Sequence, residues 1–252
     1  MDIPVVGPKI YYTVPIDIPI LGRLEITETL VISWLVMLII TLLCIWLTHD
    51  LKVENISKRQ AFAEMLVEMA DKFVIGNMGE KFRHFVPFIA ALFATSLVSN
   101  LISLLGFRSP TADLNTEAAW AIVVFVLITR EKIKAGGVGG YFKGFTQPIA
   151  VLTPFNVLSE LATPISLACR HFGNILSGLV INGLIYAALA VASSALLGLI
   201  PGAVGNFLSN IPILAVGVPA VLSVYFDWFT GVMQAYIFCM LTTMYIANAA
   251  ES

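Results

Sequence analysis

Residues 157–199 read VLSELATPISLACRHFGNILSGLVINGLIYAALAVASSALLGL and contain one carboxylate, Glu160, and one arginine, Arg170. A helix crosses the roughly 30 Å of bilayer hydrocarbon with about 20 apolar residues. As a continuous helix this run would be roughly 60 Å long. A helix of that length must tilt steeply, bend or lie partly in the membrane plane. The stretch therefore predicts a membrane protein built around an oversized, inclined helix.

A second oversized apolar run, 211–248, follows the first after the connection LIPGAVGNFLSN at 199–210. Together the two runs predict a hairpin of long tilted helices that lies against another body. The composition agrees, because 58% of the 252 residues are hydrophobic and 12% are charged, whereas a typical soluble domain is about 25% charged. A net charge of −2 and the lack of a basic patch give no reason to expect a nucleic-acid partner.

Three shorter apolar runs and one amphipathic segment precede the hairpin. The runs lie at 29–47, 85–105 and 116–130, and the last of them is short for a membrane span. In 57–75 the apolar side chains recur at helical spacing opposite polar ones, which predicts a helix at the membrane interface. Residues 1–28 lack the basic start and short apolar core of a cleavable signal peptide. The predicted fold is all-α, with five transmembrane helices and this amphipathic helix over 29–252, after an extracytoplasmic segment 1–28.

Basic side chains decide the predicted orientation. The segments 48–84 and 130–146 hold ten of the fourteen lysines and arginines. Loops rich in lysine and arginine stay in the cytoplasm. Five crossings then place the N-terminus outside and the C-terminus in the cytoplasm, in a multi-pass plasma-membrane protein with the amphipathic helix on the cytoplasmic side.

Three formally charged residues lie inside the two long runs: Glu160, Arg170 and Asp227. A charge at membrane depth costs about 2.5–3.5 kcal/mol on insertion scales, so such residues mark an ion path or a buried partner. The alternative for Arg170 is that its long side chain reaches the interface. Ser166, Arg170, Asn174 and Ser177 share one helix face, which makes a polar stripe on an otherwise apolar helix.

The last run has a matching stripe, formed by Asp227, Gly231, Gln234, Thr242 and Tyr245. These side chains could hold waters and relay a proton, or they could hydrogen-bond neighbouring helices. The sequence contains no nucleotide-binding loop and no hydrolase or metalloprotease motif, and its histidines and cysteines are scattered. We therefore expect no active site, no cofactor and no metal. The glycine-rich GGVGG at 136–140 is interpreted as a cytoplasmic turn.

Three strings resemble subunit a of F-type ATP synthases: PISLACRHFGNILSG at 164–178, PTADLN at 110–115 and QAYIFCMLTTMY at 234–245. The resemblance implies an ion-translocating stator subunit whose inclined hairpin packs against a ring of c subunits. Its partners would be that c-ring, subunit b of the peripheral stalk and the rest of the complex, in a lipid bilayer. Arg170 would attract each ionised ring carboxylate and separate two offset aqueous half-channels. Arginine suits this role because its pKa lies far above physiological pH, so the guanidinium cannot be neutralised by deprotonation.

The resemblance also assigns individual residues. Asn174 matches the asparagine of the arginine motif, Gln234 the glutamine of the final helix and Tyr245 the tyrosine after it. Ser166 and Glu160 match commonly polar positions on the cytoplasmic approach. Asp113 and Asn115 match the outside loop motif and would lie at the mouth of the outer half-channel. The chain departs from the family pattern in two places. Many members pair a titratable residue with the position of Asp227, but its partner here is Leu179, and we expect Asn182 or Ser177 to compensate. His171 stands where leucine is usual.

Two other hypotheses remain at this stage. The chain could be an independent transporter or channel that uses Arg170 and Asp227 for an anionic substrate, or a scaffold whose buried polar groups only join helices. Co-purification with a c-ring in mild detergent would separate the stator hypothesis from the transporter. Whether the coupling ion is a proton or sodium depends largely on the ring, which is another chain.

Overall fold

The computed structural model describes residues 7–18, 22–198, 221 and 224–251. It opens with a feature that the sequence analysis did not predict, an antiparallel hairpin of β1 (Ile10–Ile18) and β2 (Gly22–Thr27). The sequence of β1 begins with an isoleucine, two tyrosines, a threonine and a valine, side chains that favour the pleated conformation. The all-α prediction is therefore wrong for this N-terminal segment.

Two helices follow close to their predicted bounds. Helix α1 spans Glu28–Thr48 and begins where the Thr27 hydroxyl accepts a hydrogen bond from the backbone N–H of Leu30. Helix α2 spans Lys58–Met78, the predicted amphipathic segment. It ends at Gly79, whose φ of +89° is open to glycine at little cost.

Helix α3 (Val86–Leu101) is flanked by 3₁₀ turns at Glu80–Phe85 and Ile102–Leu105. Its proline lies in the first turn, where the missing N–H breaks no intrahelical bond. The whole stretch is 26 residues long and covers the predicted span 85–105.

Helix α4 corrects the prediction for the middle of the chain. The apolar run 116–130 forms only its first half, because helix α4 continues from Leu114 to Gly144 over 31 residues. The predicted turn at 136–140 lies inside this element, which is broken only at Gly137, where φ is +69° and ψ is +169°. Polarity ended the apolar run at Arg130, but charged side chains are compatible with a helix.

The long run forms a single helix, α5, over Thr153–Gly198. Its 46 residues correspond to about 70 Å of rise, so the prediction of an oversized helix is confirmed. Helix α6 (Gly231–Ala249) follows a π-helical segment at Tyr225–Thr230. The predicted connection 199–210 and the first part of the run 211–248 lie outside the described residues, and with them the tip of the proposed hairpin.

Helix α6 lies at the centre of the bundle and contacts α2, α3, α4 and α5. The main core combines apolar side chains from these helices, including Val74, Ile89, Val124, Phe238 and Ile246. Among the described residues, four stretches are long and apolar enough to cross a membrane: Glu28–Thr48, Glu80–Leu105, Ala150–Leu197 and Trp228–Ala249. This is a multi-pass membrane architecture.

Candidate functional site

The predicted polar stripe of α5 lies on a face that the other described residues leave uncovered. Ser166, Arg170, Asn174 and Ser177 are all exposed, whereas Leu167, Ala168 and His171 are buried against the bundle. Among the described residues, the Arg170 guanidinium has no hydrogen-bond or ion-pair partner. Within the described part of the chain, the stripe therefore presents an unpaired positive charge on the surface of an apolar helix.

Asn174 connects this stripe to helix α6. Its Nδ2 donates to Oε1 of Gln234 at 2.5 Å, and the Gln234 side chain is buried. The Ser177 hydroxyl donates to the backbone oxygen of Asn174 at 3.0 Å. The structure thus brings two of the predicted site residues, Asn174 and Gln234, together one helical turn from Arg170.

Two other predicted residues, Glu160 and Tyr245, line one cavity of about 260 Å³ between α4, α5 and α6. Its polar wall also includes Lys132, whose Nζ lies 2.6 Å from Oε2 of Glu160. The other carboxylate oxygen of Glu160 has no hydrogen-bond partner among the described residues. A space of this size with polar walls can hold several water molecules.

Asp113 and Asn115 lie at the other end of α4. Oδ2 of Asp113 accepts from the Thr29 hydroxyl at 2.7 Å, and Oδ1 accepts from the backbone N–H of Asn115 at 3.0 Å. Asp113 therefore caps α4 and joins it to the start of α1, and the Asn115 side chain is exposed. These contacts give Asp113 a structural role that the sequence analysis did not anticipate.

The remaining predicted residues are placed less completely. Asn182 is half-buried on α5, eight residues beyond Asn174. Thr242 is buried on α6 and donates its hydroxyl hydrogen to the backbone oxygen of Phe238. The backbone of Asp227 lies in the π-helical segment, but its side chain, like that of Leu179, lies outside the described residues.

Sequence reasoning missed the partner of His171. Nδ1 of His171 lies 2.8 Å from Oε2 of Glu117 on α4, and both side chains are 0% exposed. The distance is that of an ion pair, but none of the four polar atoms of the two side chains makes a hydrogen bond among the described residues. The rings of Trp120 and Phe238 flank the imidazole, with centroids 6.2 Å and 5.3 Å away. The available signal was a carboxylate within an apolar run, Glu117 at 116–130.

It also missed a buried polar junction between α3 and α6. Asn100 donates from Nδ2 to the backbone oxygen of Gly231 at 2.9 Å and accepts from the Thr111 hydroxyl at 2.6 Å. The Ser109 hydroxyl donates to the backbone oxygen of Ser99 at 2.6 Å. A Cβ at Gly231 would lie 2.8 Å from Cβ of Asn100, so glycine is what lets the two helices approach this closely.

The apolar helices, the uncovered arginine stripe and the polar contacts between α4, α5 and α6 define a class, the multi-pass membrane proteins that keep polar groups between their helices. Comparison with known proteins narrows this class to one family. The family model described as ATP synthase A chain matches residues 30–247.

Curated relatives agree with the family model. The sodium-ion-specific ATP synthase subunit a of Propionigenium modestum is 30% identical over 96% of this chain and 85% of its own length. ATP synthase subunit a 1 of Crocosphaera subtropica is 34% identical, covering 89% and 87%. The corresponding protein of Prosthecochloris aestuarii is 33% identical, covering 92% and 93%. The chain belongs to the ATP synthase subunit a family, the ion-translocating membrane subunits of the synthase, which have no catalytic site of their own.

Proposed function

We propose that this chain conducts ions between two offset half-channels and a ring of c subunits, and that Arg170 keeps the half-channels apart. The observation that carries the proposal is the position of Arg170. Its guanidinium is exposed on α5, has no partner among the described residues and lies beside the Asn174–Gln234 contact. An arginine on an apolar surface needs an anionic partner, because a bare charge in hydrocarbon is costly.

A mid-membrane carboxylate on each c subunit supplies that partner. At ~4 Å and an effective dielectric constant near 20, the attraction is about 4 kcal/mol before the desolvation cost. This attraction favours the ionised carboxylate as it passes Arg170, so the carboxylate releases its ion on one side and reloads on the other. The fixed positive charge also repels a cation that would otherwise leak directly between the half-channels.

The cavity beside Glu160 and Tyr245 is our candidate for the cytoplasmic half-channel. It lies next to Lys132, in the segment whose basic side chains predict a cytoplasmic location. The opposite end of the bundle, with Asp113 and Asn115, would then face outward, as would the N-terminal hairpin. The outer route runs from there towards Asn174 and Gln234, with Ser177, Asn182 and Asp227 as candidate wall residues.

We also propose which partners contact which surfaces of the chain. The uncovered stripe of α5 would face the c-ring, with Ser166 one turn before Arg170 on the cytoplasmic side. The exposed apolar side chains of α1, among them Trp34, Leu38 and Leu42, would contact lipid and subunit b of the peripheral stalk. Family membership favours this assembly over an independent transporter and over a passive scaffold.

Substitution of Arg170 tests the proposal. In membrane vesicles that contain the complete synthase, Arg170→Lys and Arg170→Ala should both abolish ATP synthesis driven by an ion gradient. Lysine fails because an ammonium at this depth can lose its proton, whereas a guanidinium cannot. Arg130→Lys, at an exposed position near the middle of α4, is the matched control and should synthesise ATP normally. Coupled synthesis at the wild-type rate by either Arg170 variant would refute the assigned role.

A further inference from the structure

The pair formed by Glu117 and His171 is buried completely, yet neither the ion path proposed above nor the cavity beside Glu160 includes it. Its surroundings are aromatic: Trp120 lies one turn further along α4, and Phe238 comes from α6. The pair thus sits where three helices meet. The pair is net neutral both as carboxylate with imidazolium and as carboxylic acid with imidazole, which makes it tolerable in an apolar site.

His171 directly follows Arg170 on α5, so the contact of His171 with α4 also affects the direction in which Arg170 points. Among the α5 residues whose side chains are described, only Leu167, Ala168, His171 and Ser193 are buried. Of these, His171 places its imidazole 2.8 Å from a carboxylate of α4. Together with the Asn174–Gln234 contact to α6, this pair fixes the rotation of α5 near Arg170.

Consecutive helix residues point about 100° apart. When His171 is held against Glu117, Arg170 must point away from α4, onto the face that also carries Asn174. We propose that Glu117 and His171 act as a positioning pair, which locks α5 so that the Arg170 guanidinium faces the c-ring. This inference rests on the function proposed for Arg170. It assigns His171 and Glu117 no contact with the transported ion.

Single and double substitutions in the complete synthase test the pair. His171→Leu leaves the Glu117 carboxylate buried without a partner, and Glu117→Leu does the same to the imidazole. Each should lower ATP synthesis per assembled complex by about tenfold or more, because the unpaired group must move towards water or gain a compensating proton. The double variant removes both groups and fills the site with side chains of similar size. It should regain synthesis to within about threefold of wild type, since an apolar pair can replace a buried ion pair.

The pH dependence of synthesis supplies a readout that packing alone does not change. A positioning pair predicts that the active double variant keeps the wild-type pH profile, because it has lost no group that carries the ion. The exchanged pair, Glu117→His with His171→Glu, should also be active if the leucine pair fails to assemble. Val124→Ala, a cavity substitution at a 0% exposed position of α4, is the control. It should reduce the amount of complex without reducing synthesis per complex.

Two results would overturn the inference. If both single variants synthesise ATP at the wild-type rate, the pair does not position Arg170. If the leucine double variant assembles but is inactive or has a shifted pH profile, while the Arg170 variants are inactive as expected, the pair carries protons and is part of the path. ATP synthesis by Arg170→Ala would instead refute the proposed function itself. Failure of the positioning pair can therefore be distinguished from failure of the proposed function.

Discussion

Helices α5 and α6 are both long and apolar enough to cross a membrane, but they are buried to different extents by the other described residues. In the most apolar stretch of α6, 44% of the residues are buried, compared with 6% for α5. Helix α6 contacts four other helices and contributes Phe238, Cys239 and Ile246 to the main core. Helix α5 is more than twice as long and is held along one narrow side.

Among the described residues, other helices cover much of α6 and leave most of α5 exposed. On α6 the polar side chains of Gln234 and Thr242 are buried and have partners. On α5 the stripe that includes Arg170 is exposed and lies among exposed apolar side chains such as Ile165 and Leu161. A surface that mixes one cation with large apolar groups suits a protein partner in the membrane better than lipid alone.

A glycine-to-alanine comparison should give the largest contrast between the two helices. Gly231 of α6 has nearly ideal helical angles, so alanine is allowed by the backbone, but its Cβ would lie 2.8 Å from Cβ of Asn100. The helices must separate, and the hydrogen bond from Asn100 to the Gly231 oxygen must lengthen. We expect Gly231→Ala to destabilise the detergent-solubilised subunit by about 1–3 kcal/mol, measured by thermal unfolding.

Gly178 of α5 is the matched control, because no atom of the described residues lies within 4 Å of a Cβ placed there. Alanine is the better helix former by about 1 kcal/mol, so Gly178→Ala should leave the isolated subunit equally stable or more stable. The contrast between the helices would be lost if both substitutions shifted the unfolding midpoint equally in the same direction.

The contact that joins the two helices should have a smaller effect. Asn174→Ala removes the donor to the buried Oε1 of Gln234 and should cost about 1 kcal/mol. A double-mutant cycle with Gln234→Ala should show a coupling of similar size, since the two amides contact each other directly. Ser166→Ala, on the same exposed face, should change the stability by less than about 0.5 kcal/mol. Additive single effects in the cycle would show that the amide pair does not couple α5 to α6.

Apolar run length predicted much of this architecture. The bounds of α1 and α3 and the single long α5 follow from hydrophobic runs, since the membrane requires them to be helical. Helix α4 was predicted too short because the end of an apolar run marks where hydrocarbon ends, while a helix can continue past it into charged sequence. The β-hairpin was not predicted because Pro15 interrupts β1, and a proline within a run normally argues against a strand.

The sequence alone did not predict contacts between residues that lie far apart along the chain. Glu117 and His171 are 54 positions apart, and Asn100 and Gly231 are 131 apart. Helical spacing relates residues within one helix but not the rotation of one helix against another. The sequence therefore predicted that Ser166, Arg170, Asn174 and Ser177 share a face, but it did not predict what lies behind that face.

The natural cysteines allow the exposure of the two helices to be compared with a single background substitution. Cys169 precedes Arg170 on α5 and is exposed, whereas Cys239 of α6 is 0% exposed. In a Cys44→Ser background, which removes the other exposed thiol, a small thiol reagent should modify Cys169 of the solubilised subunit and leave Cys239 intact until the protein is denatured. Equal reaction of the two thiols would contradict the packing contrast. In the assembled synthase we expect Cys169 to react more slowly than in the solubilised subunit, because the surface beside Arg170 is the one that the c-ring would cover.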